Sequence, residues 1–255
     1  MRMRVRRATR IRLGQLAFVV VLFGALELLV DSGIINALIL SRPSEVAIRL
    51  WRDLGTGELW ASFATTVQEV AIALLLSLLI GAAAGFALHR FLTFRRAVEP
   101  LMVAFYSAPA ILLYPVFLTF FGEGSMTVIV MAVVLGSVPI AINVAVGLGS
   151  IAAIWRKVGH SMNATGRQMF FKIMVPAAMP TIATGFRLGL TFALVGVIAL
   201  EFLTYSGGLG KLVSWRYFVF DTDGVYAAII LVAVIAVLIN MALNAMESRV
   251  RSRWE

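Results

Sequence analysis

The most regular feature of the chain is a series of long apolar segments separated by short polar ones. A helix needs about 20 apolar residues to cross a bilayer. Six segments come close to that length, and they cover residues 13–30, 65–88, 101–121, 127–149, 180–204 and 225–246. The pattern predicts an all-α, polytopic membrane protein with about six transmembrane helices. We expect residues 1–255 to form a single transmembrane domain.

The connection at residues 151–180 is unusual because it mixes apolar with cationic residues. Its first half has apolar residues at positions i, i+3, i+4, i+7 and i+11 of one helical stripe, namely Ile151, Ile154, Trp155, Val158 and Met162. Asn163 and Gly166 both accept a positive φ and predict a break in the helix. Residues 167–175 predict a second short helix, which we expect Pro176 and Pro180 to end. The sequence therefore predicts a helix, a turn and a helix outside the bilayer.

Prolines interrupt the third and fourth apolar segments. Pro109 and Pro115 each remove a backbone donor from a helix that has no water to replace it, and Pro139 does the same in the next segment. The sequence predicts kinked or broken helices, repaired by neighbouring helices or by a water-filled cavity. Candidates for a translocation path or its gate are Ser107, Tyr114, Asn143 and Glu201. Kinks that only shape helix packing are the alternative.

Two glutamates fall inside apolar segments, where a charge costs about 2.5–3.5 kcal/mol on insertion scales. Glu201 has no evident partner within the membrane and precedes a Gly-Gly-Leu-Gly turn. Its alternatives are a role in a gate or path and a structural hydrogen bond to that turn. Glu69 lies near the outer end of its segment, where we expect it to reach external water. No Lys or Arg occurs between residues 97 and 150, so no side-chain cation is predicted to hold an anion there.

Composition excludes a soluble globular protein, because 61% of the residues are hydrophobic and only 14% are charged. The net charge of +9 does not indicate nucleic-acid binding, since the basic residues lie in short stretches beside apolar segments. These stretches are the two termini, residues 90–96 and residues 151–180, which the positive-inside rule places in the cytoplasm. With no cysteine, two separated histidines and no phosphate-binding loop, we expect no metal site, no catalytic site and no nucleotide site in this chain.

The first connection on the opposite side, residues 31–64, contains a further amphipathic pattern. Ser44 follows Pro43 as an expected helix N-cap, and Val46 and Leu50 lie on one side of the helix that follows, together with Leu54. We expect this helix to lie on the outer membrane surface. A simple spacer is the alternative.

Residues 151–180 resemble the EAA loop, the cytoplasmic loop of ABC importer permeases. The family pattern is Glu-Ala-Ala, three residues, Gly, nine residues and Ile-x-Leu-Pro. Ile173 and Pro176 match it, Asn163 replaces the Gly and Val175 replaces the Leu, while Lys-Val-Gly at 157–159 stands where Glu-Ala-Ala would be. We refer to residues 151–180 as the coupling loop.

Other stretches resemble the nitrate, sulfonate and taurine branch of these permeases. They run in collinear order from about residue 41 to about residue 248. They are SRPSEV (41–46), Gly81 and Gly85, Pro109 and Pro115, FG (121–122), Pro139 with Asn143 and Gly147, GFRLGL (185–190), Glu201, GGLG (207–210) and TD (222–223).

The resemblance implies a type I ABC importer permease-like fold in a bacterial inner membrane, with both termini cytoplasmic. It also implies partners: a second permease subunit, expected to be identical, two ATP-binding subunits and an external solute-binding protein. ATP and magnesium would be bound by the ATP-binding subunits, so no cofactor is expected in this chain. The solute would be small, either a sulfonate- or nitrate-like anion or a vitamin precursor.

The same resemblance assigns the contact with the ATPase to the coupling loop. The expected contact residues are Trp155, Arg156, Lys157, Val158, Met162, Asn163, Arg167, Met169, Phe170 and Phe171. Their movement would pass through Pro176 and Pro180 to the third, fourth and fifth apolar segments. An amphipathic helix pair resting on anionic lipid is the alternative for this loop.

Two other classes of function stay open at this point. A secondary transporter or channel without an ATPase would need inverted repeats or a chain of intramembrane acids, and neither is visible. A membrane-embedded enzyme would need a catalytic constellation, but the sequence has no HExxH motif, no GxSxG motif and no aspartate pair within its apolar segments.

Overall fold

A computed structural model describes residues 2–107, 110–204 and 207–251 of the chain. Within these ranges, the description omits the side chains at 2–13, 16, 105–107, 110, 156, 242–243, 246–247 and 249–251. The first helices are α1 (Arg2–Asp31), α2 (Pro43–Asp53), α3 (Gly57–Arg90) and α4 (Leu92–Ser107), followed by a 3₁₀ turn (Ala110–Leu113) and α5 (Tyr114–Phe121). The later helices are α6 (Ser125–Gly149), α7 (Ala153–Ser161), α8 (Gly166–Gln168), a π-helical segment (Met169–Met174), α9 (Val175–Thr204), α10 (Gly208–Phe218) and α11 (Thr222–Arg251).

The third apolar segment is broken, as its prolines predict. Helix α4 ends at Ser107, and α5 begins at Tyr114 with Pro115 in its first turn. A proline is tolerated there because the first N–H groups of a helix have no partner within the helix. Pro109 lies outside the described residues. Pro139 lies inside α6 without ending that helix.

The prediction that Pro176 and Pro180 end a short helix is wrong. Both prolines lie in α9, which follows the π-helical segment without a gap. Pro176 is the second residue of α9 and lies just after the end of the π-helical winding. The wider π turn just before it accommodates one extra residue in the helix. The coupling loop therefore runs directly into a membrane helix.

Glycines bring α3 close to α6. A Cβ added to Gly81 would lie 2.7 Å from the Ile140 Cβ, and one added to Gly85 would lie 2.6 Å from the Ala141 carbonyl oxygen. Distances this short do not occur between real atoms, so only glycine allows the two helices to approach this closely. The spacing of four residues places both glycines on one face of α3.

Helices α6 and α9 form the most extensive helix pair of the described chain. The glycines of the GFRLGL stretch explain this packing, because Gly185 lies against the Asn143 side chain and Gly189 against Ile140. Buried apolar residues of α3, α6 and α9 form one cluster, which includes Val70, Met131 and Leu200.

Four helical runs of the described chain are long and apolar enough to cross a membrane. They are Gly57–Arg90, Ser125–Gly149, Thr222–Met241 and the run that contains Val175–Thr204. A shorter apolar helix covers Ile111–Phe121. The all-α membrane architecture is confirmed, whereas the count of about six spans stays a prediction.

The chain divides into two compact units, one of residues 1–60 and 212–231 and the other of residues 61–211 and 232–255. The expectation of a single transmembrane domain stays a prediction. The coupling loop and the helix pair α6–α9 belong to the second unit, whereas α2 belongs to the first.

Helix α2 is present, but Ser44 is not its N-cap. The helix starts at Pro43 with Arg42 as N-cap, and Ser44 lies in its first turn. The Ser44 backbone N–H and hydroxyl both donate to the Glu27 carboxylate, at 3.1 and 2.5 Å. The Glu27 carboxylate of α1 therefore accepts from an N–H group of the first turn of α2 that has no partner within the helix. Val46 is buried, as the amphipathic pattern predicts.

Candidate functional site

The coupling loop forms the predicted helix, turn and helix. Helix α7 ends at Ser161, and Asn163 has a φ of 50°, as predicted for the break. Gly166 instead has an ordinary helical conformation as the first residue of α8, because Thr165 caps this helix. The Thr165 hydroxyl accepts from the Gln168 N–H at 3.3 Å, and the Gln168 side chain accepts from the Thr165 N–H at 2.9 Å. This reciprocal pair is a capping box and fixes where the second helix begins.

Most of the predicted ATPase-contact residues are exposed. Trp155 is 54% exposed and Phe171 is 61% exposed, although both side chains are large and apolar. The other exposed members of the predicted set are Lys157, Val158, Met162, Asn163 and Arg167. The Arg156 side chain is among those that the structure does not describe. The loop thus presents apolar and cationic side chains together on an uncovered surface.

Met169 and Phe170 differ from the exposed members of the set, because Met169 is buried and Phe170 is half-buried. Met169 is buried, and a Cβ added to Gly159 would lie 2.7 Å from its sulfur. The Phe170 ring packs edge-on against Phe86 of α3, with ring centroids 5.2 Å apart, and against Phe171 at 5.0 Å. These two side chains hold α7 and α3 against the π-helical segment, and a contact of either with the ATPase stays a prediction.

No hydrogen bond joins Tyr114, Asn143 and Glu201, the three path candidates whose side chains the structure describes. Tyr114 packs against the buried cluster of α3, α6 and α9. The Asn143 amide donates to the Pro139 carbonyl one turn earlier in α6, at 2.8 Å. Ser107 ends α4, and its side chain is not described. A role of these residues in a path stays a prediction.

Glu201 is fully buried and serves as a structural hydrogen-bond acceptor. Its Oε2 atom accepts from the Thr66 hydroxyl of α3 and from the Gly210 N–H of α10, both at 2.9 Å. The Thr66 hydroxyl in turn accepts from the Leu209 N–H at 2.8 Å. The first N–H groups of α10 therefore find acceptors on α3 and α9. The alternative of a hydrogen bond to the glycine-rich turn is confirmed.

The glycines of this turn leave room for the Glu201 side chain. Gly208 has a φ of +76°, and a Cβ at that position would collide with the Glu201 carboxylate. A Cβ on Gly210 would lie 2.5 Å from the Ile198 carbonyl oxygen and 2.6 Å from the Glu201 Cβ. The GGLG stretch is thus required where α10 begins against the end of α9.

The expectation that Glu69 reaches external water is wrong, because this side chain is only 2% exposed. Its carboxyl group faces the Ser125 side chain and the Glu201 carboxyl group. The statement that Glu201 has no intramembrane partner is therefore also wrong. The sequence did not reveal the pair because residues 69 and 201 lie on different helices.

In the first unit, sequence analysis missed a network of ion pairs. The Arg216 guanidinium contacts the Asp53 carboxylate at 2.6 Å, and both side chains are nearly buried. Arg49 contacts Asp53 at 3.1 Å, and two of its guanidinium nitrogens donate to the Asp221 carboxylate at 2.7 and 3.2 Å. Burial acts to lower the pKa of Arg49, but its bonds to Asp53 and Asp221 outweigh this and raise it. The one local signal was the i, i+4 spacing of Arg49 and Asp53 in α2.

Relatives with known transport roles are similar to most of this chain. The formylaminopyrimidine transport permease protein of Halalkalibacterium halodurans is 29% identical over 82% of this chain and 84% of its own length. The taurine transport system permease protein of Escherichia coli is 27% identical over 85% of this chain and 80% of its own length. The nitrate import permease protein of Leptolyngbya laminosa is 26% identical over 82% of this chain and 78% of its own length.

Two solved structures share the fold. An inward-facing structure of the MetNI methionine ABC transporter matches with a TM-score of 0.64 and 21% identity, over 76% of this chain and 96% of the other. An amino acid ABC transporter crystallised with histidines matches with a TM-score of 0.64 and 13% identity, over 80% and 97%. These likenesses confirm the expected type I ABC importer permease fold.

The family model described as "binding-protein-dependent transport system inner membrane component" matches residues 73–252. This range contains the coupling loop, the α6–α9 pair and the turn capped by Glu201. An inner membrane component is expected to have apolar helices long enough to cross a membrane, and four helical runs of the described chain are of this kind. The chain therefore belongs to the binding-protein-dependent transport system inner membrane component family.

Proposed function

We propose that this chain is the permease subunit of an ABC importer for a small solute, and that a partner ATPase drives it through the coupling loop. The observation that carries the proposal is the exposed surface of α7 and the π-helical segment, which joins large apolar side chains to cations. Fully solvated loops rarely display such side chains together, whereas partner surfaces do. Trp155 and Phe171 would bury into the ATPase, and Lys157 and Arg167 would steer the encounter.

Movement of the loop would reach the membrane helices by two routes. The first is the backbone itself, since the π-helical segment continues into α9 without a gap. The second is the contact of Phe170 with Phe86, which ties the segment to α3. Because α6 packs along α9 over most of its length, a tilt of α9 would carry α6 with it.

The remaining parts of the importer belong to partner chains. ATP and magnesium would be bound by two ATP-binding subunits, and a second, identical permease subunit would complete the path. A solute-binding protein would deliver the solute at the outer face. The basic termini and the coupling loop would lie in the cytoplasm of a bacterial cell, in keeping with the positive-inside rule.

The solute is proposed only by class. Relatives named for taurine, nitrate and formylaminopyrimidine transport are about equally similar to this chain. With no Lys or Arg between residues 97 and 150, a sulfonate- or nitrate-like anion would have to be held by backbone N–H groups or helix ends. A vitamin precursor needs no such cation. Thermal-shift screening of the cognate binding protein against these compounds would assign the solute.

A matched pair of neighbouring residues tests the coupling role. Phe171→Ala removes an exposed ring, and Phe170→Ala removes one that packs inside the protein. We expect Phe171→Ala to weaken binding of the ATPase by about 30-fold, the effect of a typical interface hot spot of about 2 kcal/mol. It should lower the melting temperature less than Phe170→Ala, because the Phe171 ring contacts Phe170 but is itself 61% exposed. Phe170→Ala should lower the melting temperature, because it leaves a cavity against Phe86.

The assay is co-purification and titration of the permease with its cognate ATPase, together with ATP hydrolysis by the reconstituted complex. Trp155→Ala provides an independent test of the same surface and should also weaken binding. If Phe171→Ala and Trp155→Ala both leave affinity and stimulated hydrolysis unchanged, the ATPase does not bind this surface and the proposal fails.

A further inference from the structure

Within the described part of the chain, the buried pair of Glu69 and Glu201 has fewer hydrogen-bond donors than two carboxylates would need. Both oxygens of Glu69 and the Oε1 atom of Glu201 are buried without a hydrogen-bond partner. Ser125 faces Glu69 but does not complete a hydrogen bond to it. Leaving such oxygens unpaired is costly, and two adjacent buried charges of like sign are costlier still.

The two carboxyl groups have unequal surroundings. Glu201 accepts two hydrogen bonds through Oε2 and lies at the N-terminus of α10, where exposed N–H groups and the helix dipole favour a negative charge. Glu69 receives neither. Among the described residues, the only charged or titratable group found to act on either carboxyl is the other carboxyl, and no Lys or Arg balances them.

We propose that Glu69 is held in its protonated form and donates its O–H to the free Oε1 atom of Glu201. One proton then pairs one Glu69 oxygen with the Oε1 atom of Glu201, which gains its missing donor. The second Glu69 oxygen is left with the Ser125 side chain as its neighbouring polar group. The pair carries a single negative charge, located on Glu201 at the start of α10. Glu69 is a positioning residue that fixes the Glu201 carboxylate from the side of α3, opposite the Gly210 N–H.

The proposal goes beyond the transport role and does not depend on the coupling loop. If Glu69 is protonated, Glu69→Gln should be tolerated, because the glutamine amide can donate to Glu201 just as the protonated acid does. Glu69→Leu is of similar size but has no donor, so it leaves Oε1 unpaired.

The test compares these two variants as full-length protein in lipid nanodiscs at neutral pH. The infrared difference spectrum of wild type minus Glu69→Gln should contain the C=O stretch of a protonated carboxylic acid. Glu69→Gln should melt within about 2 °C of wild type, and Glu69→Leu should melt at least about 4 °C lower. A carbon-13 NMR spectrum of wild-type protein labelled at its glutamate carboxyl groups should show a neutral-acid signal, which needs no variant to fold.

Three results would overturn the proposal. The first is a spectrum of wild-type protein without a protonated glutamic acid, because both carboxyl groups would then be ionised. The second is a Glu69→Gln variant as unstable as Glu69→Leu, because an amide donor would then not replace the proton. The third is a Glu69→Leu variant as stable as wild type, because Glu201 would then not need the donor.

Discussion

Arg216 offers a direct measure of how strongly the ion-pair network holds the first unit together. Its guanidinium contacts Asp53 at 2.6 Å and donates to the Gly224 carbonyl at 3.0 Å, and the two paired side chains are only 7% and 6% exposed. Replacing Arg216 by Met keeps the aliphatic stem and removes the charge. Removing one partner of a buried ion pair costs about 3–5 kcal/mol. Arg49 still contacts Asp53 in the variant, so we expect the lower figure of about 3 kcal/mol.

A loss of about 3 kcal/mol corresponds to a melting temperature about 6–12 °C lower for a chain of this size. The matched control is Arg42→Met, which breaks the Arg42–Asp31 pair at 2.9 Å, where the side chains are 41% and 50% exposed. An exposed pair contributes about 0–1 kcal/mol, so this shift should stay below about 4 °C. Thermal unfolding of both variants in nanodiscs gives the comparison. If Arg216→Met shifts the transition no more than Arg42→Met, burial does not strengthen the network and the reasoning is refuted.

Two further predictions concern helix packing and orientation. Gly85→Ala should lower the melting temperature, because overpacking costs about 1–3 kcal/mol and its new Cβ would meet the Ala141 carbonyl at 2.6 Å. Gly24→Ala has nothing within 4 Å and should raise it through helix propensity, so equal shifts would contradict the close approach of α3 and α6. Because the chain has no cysteine, His160→Cys and Trp51→Cys each introduce a single thiol. An impermeant maleimide should label Trp51→Cys in sealed right-side-out vesicles, and His160→Cys only after permeabilisation; the reverse labelling would refute a cytoplasmic coupling loop.

Features encoded by neighbouring residues could be predicted from the sequence. Long apolar runs predict the membrane helices because their length and composition reflect the bilayer directly. The helical stripe from Ile151 to Met162 predicts α7, and the positive φ of Asn163 follows from its side-chain chemistry. The sequence also contains a signal for the start of α8 that the prediction of this loop did not use, since Thr165 and Gln168 have the spacing of a capping box.

Features that depend on distant residues could not be predicted in the same way. The position of a residue within an apolar segment does not show which other helices cover its side chain. Glu69 was therefore expected to reach water, whereas neighbouring helices bury it. The Arg216–Asp53 contact joins residues 163 positions apart, and no local periodicity indicates it. Pro176 was expected to end a helix because the rule for proline assumes α-helical winding, which the π-helical segment does not follow.

The winding of Met169–Met174 also determines the direction in which the exposed surface of the loop points. These six residues form hydrogen bonds to the fifth residue along the chain, so the segment holds one residue more than α-helical bonding would require. In an α-helix each residue contributes a rotation of about 100° and a rise of about 1.5 Å. Deleting a single residue here would therefore rotate the start of the π-helical segment, and with it α7 and α8, by about 100° around the axis of α9. The π-helical backbone therefore sets the direction in which the surface with Trp155 faces, independently of the side chains on that surface.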